Sequence, residues 1–275
     1  MIDAVTERAS ACNEPCVTIG MPVFNGEAFI EGALDSLLNQ SFSDFELYIS
    51  DNASSDRTED ICRAYASRDS RISYRRQPAN LGASANFREV FKEARGRYFM
   101  WAAADDRRDS RFLEFAVSIL DERKEIGLVF CAGETCDLKT NRTVEWDCGY
   151  CASPRKWLRF LHRLINSCPS LIYGLHRKSV LNQIPFENFD YFDVYLSHWY
   201  ELNSQIAIIP LRLFTAGTLG TRIPYSLTGD RIDDRRYIEM ERRLLRHHFT
   251  LPVSFLLYCV TRHLIRSNTR HLLKA

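Results

Sequence analysis

The 275-residue chain lacks any window of about twenty consecutive apolar residues, the length a helix needs to cross a bilayer. Its opening stretch, MIDAVTERASACNEP, carries acids and no central apolar run, so it does not read as a secretory signal. A cytoplasmic protein with a flexible N-terminus over residues 1–14 is expected. Charge excess is missing as well: 36 Lys and Arg stand against 35 Asp and Glu, a net charge of +1. No whole-molecule field gathers nucleic acid or membranes, and a charged partner has to be met locally. Nine cysteines are an odd count for a disulfide framework, and reduced thiols suit a cytoplasmic chain. Cys148 and Cys151 form one C-x-x-C pair, but no second close pair completes a zinc site with Cys131 and Cys136, so buried or incidental thiols are the simpler reading. Internal repeats and low-complexity tracts are absent too.

What is present is material for a core. Hydrophobic residues make up 45% of the chain, enough at this length for one large domain or two modest ones. From Cys16 the pattern is regular. CVTIGMPVF reads as a strand, and Phe29, Ile30, Ala33, Leu34, Leu37 and Leu38 then recur at helical spacing. FELYIS (45–50) is a second strand stopped by the turn formers DNASSD, after which Asp56 and Glu59 have the spacing of a capping box. RISYRR fits a third strand, and Phe87, Val90, Phe91 and Ala94 share a helix face closed by Gly96 as a C-cap. RYFMWAAA, SRFLEFAVSILDER and IGLVFCAGE continue as strand, helix, strand. Such alternation implies an α/β domain with a mainly parallel sheet flanked by helices. Ligands of these sheets bind beyond the carboxyl ends of the strands, where Asn25, Asp51, Asn52, Asp105 and Asp106 are expected.

After about residue 137 the alternation loosens. Ser153 and Pro154 open a helix in SPRKWLRFLHRLIN, LIYGLHR is strand-like, and FDVYLSHWYELNSQ is helical. IAIIPLRLFTAG reads as two strands with a bend at Pro210. From Arg242 to Ala275 there are seven Lys or Arg, four His and no acid around the apolar segment FTLPVSFLLYCVT. A basic amphipathic helix of this kind either lies on an anionic membrane surface or packs on its own domain with a solvated basic side.

The sharpest chemistry sits where the fourth strand runs into Asp105-Asp106. Adjacent carboxylates repel each other, and a hard divalent cation such as Mg²⁺ or Mn²⁺, which prefers oxygen ligands, relieves the repulsion. The alternative is that Asp105, Asp106 and Asp109 are acids at a helix N-terminus, where the dipole favours them.

VTIGMPVFNGEAFIEGALDSLLNQSFSDFELYISDNASSDRT resembles the opening of the family 2 inverting glycosyltransferases: a strand ending Pro-x-x-Asn, a helix ending Gln-Ser-Phe, and a second strand ending in an acid pair or Asp-Asn. The likeness continues through NLGASANFREVFKEARGRYFMWAAADD and covers about residues 16–125. It implies the GT-A (nucleotide-diphospho-sugar transferase) fold, a nucleotide-diphosphate sugar donor, with a UDP-sugar expected, and Mg²⁺ or Mn²⁺. Residues 15–136 would form the nucleotide-sugar-binding half, 137–225 the acceptor-binding half, and 226–275 a basic helical C-terminal extension. Carried over by position, Pro22, Val23, Phe24 and Asn25 lie beside the nucleotide and Asp51 with Asn52 holds its base and ribose side. Asp105 stands near the ribose and diphosphate, and Asp106 with Asp105 is at the metal. Ala103 departs from the many members that carry an acid there, which puts the strength of metal binding in question.

Inversion requires a base for the acceptor hydroxyl. The resemblance implies an acid near the start of the helix before an I-x-x-I/V-P strand, which points to Asp193, with Asp190 as the alternative; both also suit helix capping. Tyr173, Gly174 and His176 match the segment lining the acceptor side. His198, one turn further along, reads as a packing or surface residue. Arg75, Arg76, Arg107 and Arg108 are placed where a guanidinium pairs with diphosphate, although exposed arginines need no such purpose. The Gln-x-x-Arg-Trp signature of processive members is absent, which favours transfer of a single sugar to a saccharide or lipid-linked acceptor, as in bacterial polysaccharide or glycolipid synthesis. Two further readings are a non-catalytic carbohydrate- or nucleotide-binding relative and a nucleotidyltransferase, although PVFNGEAF lacks the Gly-rich basic loop of the latter.

Overall fold

The computed structural model describes residues 14–155, 158–159, 169–185, 192–218 and 235–248. Strands Val17–Val23 (β1) and Phe45–Asp51 (β2) pair in parallel, with Val17 opposite Phe45 and Val23 opposite Asp51. Ile72–Arg76 (β3) lies outside β2, and Tyr98–Trp101 (β4) lies on the other side of β1, both parallel. Val17, Thr18, Ile19 and Met21 are all fully buried, because helices cover both faces of this block. Ile30–Leu38 (α1) turns Ile30, Ala33, Leu34 and Leu37 inward, the spacing of one helical face. Thr58–Arg68 (α2), Ala83–Lys92 (α3) and Phe112–Glu122 (α4) are the other crossovers.

The second half adds Arg107–Arg108 (β5), Ile126–Asp137 (β6), Thr143–Trp146 (β7), Leu175–Arg177 (β8), Lys178–Leu181 (α5), Phe192–Asn203 (α6), Gln205–Thr218 (β9) and Arg235–His248 (α7). The sheet runs β3-β2-β1-β4-β8-β6-β9-β5, with β7 as a hairpin partner of β6. β6 and β9 are parallel, but β8 is antiparallel to both β4 and β6, so two parallel blocks meet at a three-residue seam.

Several local expectations change. The stretch around Pro210 is one strand, and its pairing with β6 slips between Cys131/Ile209 and Ala132/Arg212, where a proline without an N–H is accommodated. Gly96 does not cap α3; a Cβ there would lie 2.6 Å from the Thr18 nitrogen, so close backbone approach explains the residue. The expected Asp56/Glu59 box is built differently. Asp56 accepts from the Thr58 N–H (3.0 Å), but the Arg57 N–H goes to Glu27 (2.8 Å), while Glu59 pairs with Arg63 and Arg76.

α7 packs against α6 and buries Leu244 and Leu245, leaving Arg243, Arg246 and His247 exposed. No helix among the described residues is long and apolar enough to cross a membrane. The N-terminal segment up to residue 13, most of the helix expected over 153–166, and the tail from residue 249 lie outside the described residues.

Candidate active site

The carboxyl ends of β1, β2 and β4 open onto one rim. β1 leads through Phe24, half exposed at 50%, into Asn25, whose φ of 51° lies in the left-handed region that Asn tolerates. The turn is tied to the segment after β2: the Asn25 N–H donates to Ser54 Oγ (2.9 Å), the Ser55 N–H donates to Asn25 Oδ1 (2.8 Å), and the Gly26 N–H donates to Thr58 Oγ1 (2.8 Å). A Cβ on Gly26 would lie 3.4 Å from the Ala104 Cβ, which sets this turn against the approach to the acid pair. The Pro22–Asn25 turn, the segment from Asp51 and the chain into Asp105-Asp106 therefore converge.

Asp51 and Asn52 stand behind the rim rather than on it. Asp51 is fully buried; Oδ1 accepts the Ser54 N–H (2.8 Å), and Oδ2 accepts the Tyr74 hydroxyl (2.6 Å) and Arg76 (3.3 Å). Asn52 donates to Asn80 Oδ1 (2.8 Å) and the Gly82 carbonyl (3.3 Å) and accepts the Leu81 N–H (2.7 Å). Its amide is spent on fixing the loop before α3. The two residues brace the rim from behind, with their polar atoms already engaged inside the protein.

Asp105 is partly exposed and Asp106 nearly buried. Oδ1 of Asp106 accepts the Gly217 N–H at 3.1 Å, bringing the end of β9 under the acid pair. Gly217 is obligatory here, because a Cβ would overlap the Asp105 carbonyl oxygen. Burial, then the neighbouring Asp105 charge, pushes the Asp106 carboxyl up to about 7, against a weaker pull from the Gly217 N–H and Arg108. Two crowded carboxylates that resist joint ionisation are a donor set that suits a hard divalent cation, which commonly takes one or two carboxylates and completes its shell with phosphate and water. Among the described residues no third His, Cys, Asp or Glu joins them in a cluster. The Cys148 thiol, rather than forming such a cluster, donates to the Cys131 carbonyl at 3.4 Å.

The acceptor-side candidates separate. Tyr173, at the end of the turn Pro169–Tyr173, is partly exposed; burial of its hydroxyl drives the pKa upward, and the carboxylates of Asp106, Asp193 and Asp105 add to the rise. This common neighbour relates Asp193 to the acid pair. Asp193 sits in the first turn of α6; burial raises its pKa while the backbone N–H of Val194 moderates the rise. Gly174 is buried, and a Cβ there would meet the Val129 carbonyl oxygen at 2.7 Å, so the residue permits the seam to close. His176 is fully enclosed, with Nδ1 3.0 Å from the Tyr200 hydroxyl and Nε2 2.9 Å from the Ile172 carbonyl. Burial lowers it to about 4, so it is a neutral ring inside the core rather than a group on the rim. His198 is buried on α6, and Asp190 lies outside the described residues.

The arginines are mostly committed elsewhere. Arg75 pairs with Glu89 and Glu93 (3.7 Å each), Arg76 with Asp51 and Glu59 (3.3 and 3.4 Å), and the Arg107 guanidinium lies over Gly32 of α1. Arg108 turns inward among Phe112, Phe130 and Phe214. Ser54, Tyr74 and Gly217 are site-building residues that pattern reasoning missed. Only Ser54 had a signal, as part of the turn cluster after β2.

A sheet whose rim gathers an Asn turn, a buried Asp and an adjacent acid pair has the arrangement of a GT-A glycosyltransferase domain. Residues 18–172, more than half of the chain, match the model of glycosyl transferase family 2, and the protein belongs to that family. It is 29% identical over 172 residues to the Rickettsia typhi glycosyltransferase RT0329, covering 60% of this chain and 52% of that one. It is 32% identical over 146 residues to the abequosyltransferase RfbV of Salmonella typhimurium, covering 52% of this chain and 41% of RfbV. The chain thus spans about half the length of these relatives. In fold it is similar to residues 1–349 of S. aureus TarS in complex with UDP-GlcNAc, with a TM-score of 0.68 at 16% identity, covering 93% of this chain and 74% of that one. It is also similar to the mannosyltransferase PcManGT of Pyrobaculum calidifontis in complex with GDP-Man and Mn²⁺, with a TM-score of 0.59 at 16% identity, covering 95% and 74% of the two chains.

Proposed function

We propose that the protein transfers one sugar from a nucleotide-diphosphate donor to an acceptor hydroxyl with inversion, in the synthesis of a bacterial polysaccharide or glycolipid. One observation carries this reading: the Asn25 turn and Asp105-Asp106 meet at one rim, and Tyr173 brings Asp193 into the field of the same acids. The nucleotide lies along the Pro22–Asn25 turn, with Phe24 as its apolar contact and Asp51 and Asn52 holding the base side in shape from behind. Asp105 and Asp106 would hold Mg²⁺ or Mn²⁺, which when bound supplies positive charge beside the diphosphate oxygens of the leaving group. Asp193 takes the acceptor proton. The acceptor oxygen bonds to the anomeric carbon, the bond from that carbon to the diphosphate oxygen breaks, and its electron pair departs with the nucleoside diphosphate. A carboxylate whose pKa is raised by burial holds a proton better than an exposed one, which suits this role.

A UDP-sugar is the proposed donor because the TarS complex holds UDP-GlcNAc; the GDP-Man in PcManGT makes GDP-sugars the comparison. The reaction is placed on the cytoplasmic side, with the exposed basic face of α7 available to an anionic membrane surface that carries a lipid-linked acceptor. Ala103, where many members have an acid, favours a second reading as a binding protein without turnover. Thermal-shift screening of UDP- and GDP-sugars with Mn²⁺ identifies the donor, since a ligand stabilises in proportion to its occupancy. Metal-dependent release of nucleoside diphosphate by the wild type, lost in Asp105→Ala, supports the transferase. Stabilisation without any turnover supports the binding protein.

A further inference from the structure

Arg108 has no part in the mechanism above, yet it is only 7% exposed and its charge acts on Asp106, two residues before it. β5 pairs antiparallel with β9, placing Arg108 opposite Phe214. Its guanidinium carbon is 4.5 Å from the ring centre of Phe112 on α4, 4.5 Å from that of Phe214 on β9 and 5.9 Å from that of Phe130 on β6. Nη2 donates to the Tyr173 carbonyl, and the buried Nη1 has no hydrogen-bond partner among the described residues. The Arg108 N–H donates to Ser36 Oγ of α1 at 3.2 Å, so the backbone that carries the side chain is itself tethered.

Stability alone is a poor reason for this arrangement. A buried cation with an unmet donor is costly, and an apolar residue of similar volume packed among three phenylalanines is commonly neutral or better. The rings repay part of the cost through cation–π contact, which also fixes the plane of the guanidinium. What the residue uniquely does is connect. Its backbone follows Asp106 by two positions, and its far end grips the carbonyl of Tyr173, whose side chain lies in the field of Asp106, Asp193 and Asp105.

We infer that Arg108 is a positioning residue for transfer: it ties the Asp105-Asp106 turn to the Tyr173 wall and so sets the spacing between the leaving diphosphate and the attacking oxygen. The inference rests on the transferase reading above. A planar fork held between two rings reaches Tyr173 along one fixed direction; a lysine ammonium offers the charge without the plane, and methionine offers the volume without the charge. Misplacement of reacting groups by about 1 Å costs on the order of a hundredfold in rate, whereas binding of the nucleotide alone does not depend on that spacing.

The test uses the full chain with Arg108→Lys, Arg108→Met and Phe214→Leu, the last of which keeps the guanidinium and removes one ring. Melting curves check folding, calorimetry with UDP or GDP plus Mn²⁺ measures nucleotide affinity, and release of nucleoside diphosphate from UDP-GlcNAc and GDP-mannose measures attack by water. The expected result is a fall in kcat of about tenfold to a hundredfold for both Arg108 variants, with nucleotide affinity near that of the wild type. Phe214→Leu should show a smaller loss in the same direction. Should Arg108→Met not fold, Arg108→Lys and Phe214→Leu decide the matter. Folded variants with wild-type kcat overturn the inference and leave the transferase reading intact, as does an affinity loss matching the rate loss, which would make Arg108 part of the donor seat. A wild type without turnover on either donor overturns both.

Discussion

Two buried titratable groups should impose opposite pH slopes on stability, and substituting one unmasks the other. In metal-free, nucleotide-free buffer the folded chain keeps a proton on Asp106 up to about 7, whereas an unfolded aspartate releases it near 3.8. The folded state then binds more protons across that window, so the stability contributed by protonated Asp106 is complete below about pH 4 and is lost as pH rises to about 7. The span between 3.8 and about 7 corresponds to about 4 kcal/mol at roughly 1.4 kcal/mol per pH unit. His176 works the other way. Its ordinary value of 6.5 is lowered to about 4, so the unfolded chain takes up the proton first, and stability is lost as pH falls from 6.5 to about 4, by about 3 kcal/mol. Between pH 4 and 6.5 these slopes oppose each other. Asp106→Asn removes the acid-favouring one, so its stability relative to the wild type should rise steadily from pH 4.5 to 7.5, while its own curve shows the His176 loss undiluted. Urea denaturation at several pH values reads both. A stability difference between variant and wild type that stays constant across the range would refute the assignment of a proton to buried Asp106.

Three further outcomes follow from the site geometry. Asp193→Asn should lower nucleoside diphosphate release at least a hundredfold, on the order expected for loss of a general base, with nucleotide affinity in calorimetry unchanged. Retained turnover would move the base to another acid, Asp190 first. Gly217→Ala should destabilise by about 1–3 kcal/mol, because β9 has to move off the Asp105 carbonyl, and it should weaken Mn²⁺-dependent nucleotide binding together with stability. Asn52→Ala should free residues 80–82 and raise the donor KM while leaving kcat near normal, since the amide holds that loop and touches no reacting atom. Hydrogen exchange on the loop checks the first part, and steady-state kinetics the second.

The block built from β1, β2, β3 and β4 was legible because its physics is local. β1, α1 and β2 follow from apolar runs, a helical repeat and turn formers, and the Asn25, Asp51 and Asp105 positions follow from where those strands end. Long-range pairing was not legible. Nothing in LIYGLHR says that its strand inserts antiparallel between two parallel blocks, and Pro210 reads as a break unless the bulge opposite Ala132 is known. The Asp56/Glu59 spacing suggested a box, but Glu59 pairs with Arg63 and with Arg76 of β3 instead, a competition invisible in sequence. Arg108 is the clearest case. An Arg-Arg pair after two acids reads as a partner for diphosphate or as solvated surface, and only the pairing of β5 with β9 closes three phenylalanines around Arg108. Asp51 and Asn52 were placed at the right strand end, but their partners Tyr74, Arg76 and Asn80 come from segments whose proximity no spacing encodes.

The short β8 divides the sheet into units that touch through few backbone bonds, yet β5 crosses from one unit to clasp the outer edge of the other. A chimera exchanging specificity with a relative would therefore have an unexpected junction. Grafting only the region from β6 onward would leave Arg107–Arg108 matched to a foreign edge strand. A working hybrid has to transplant that two-residue clasp together with its new β9.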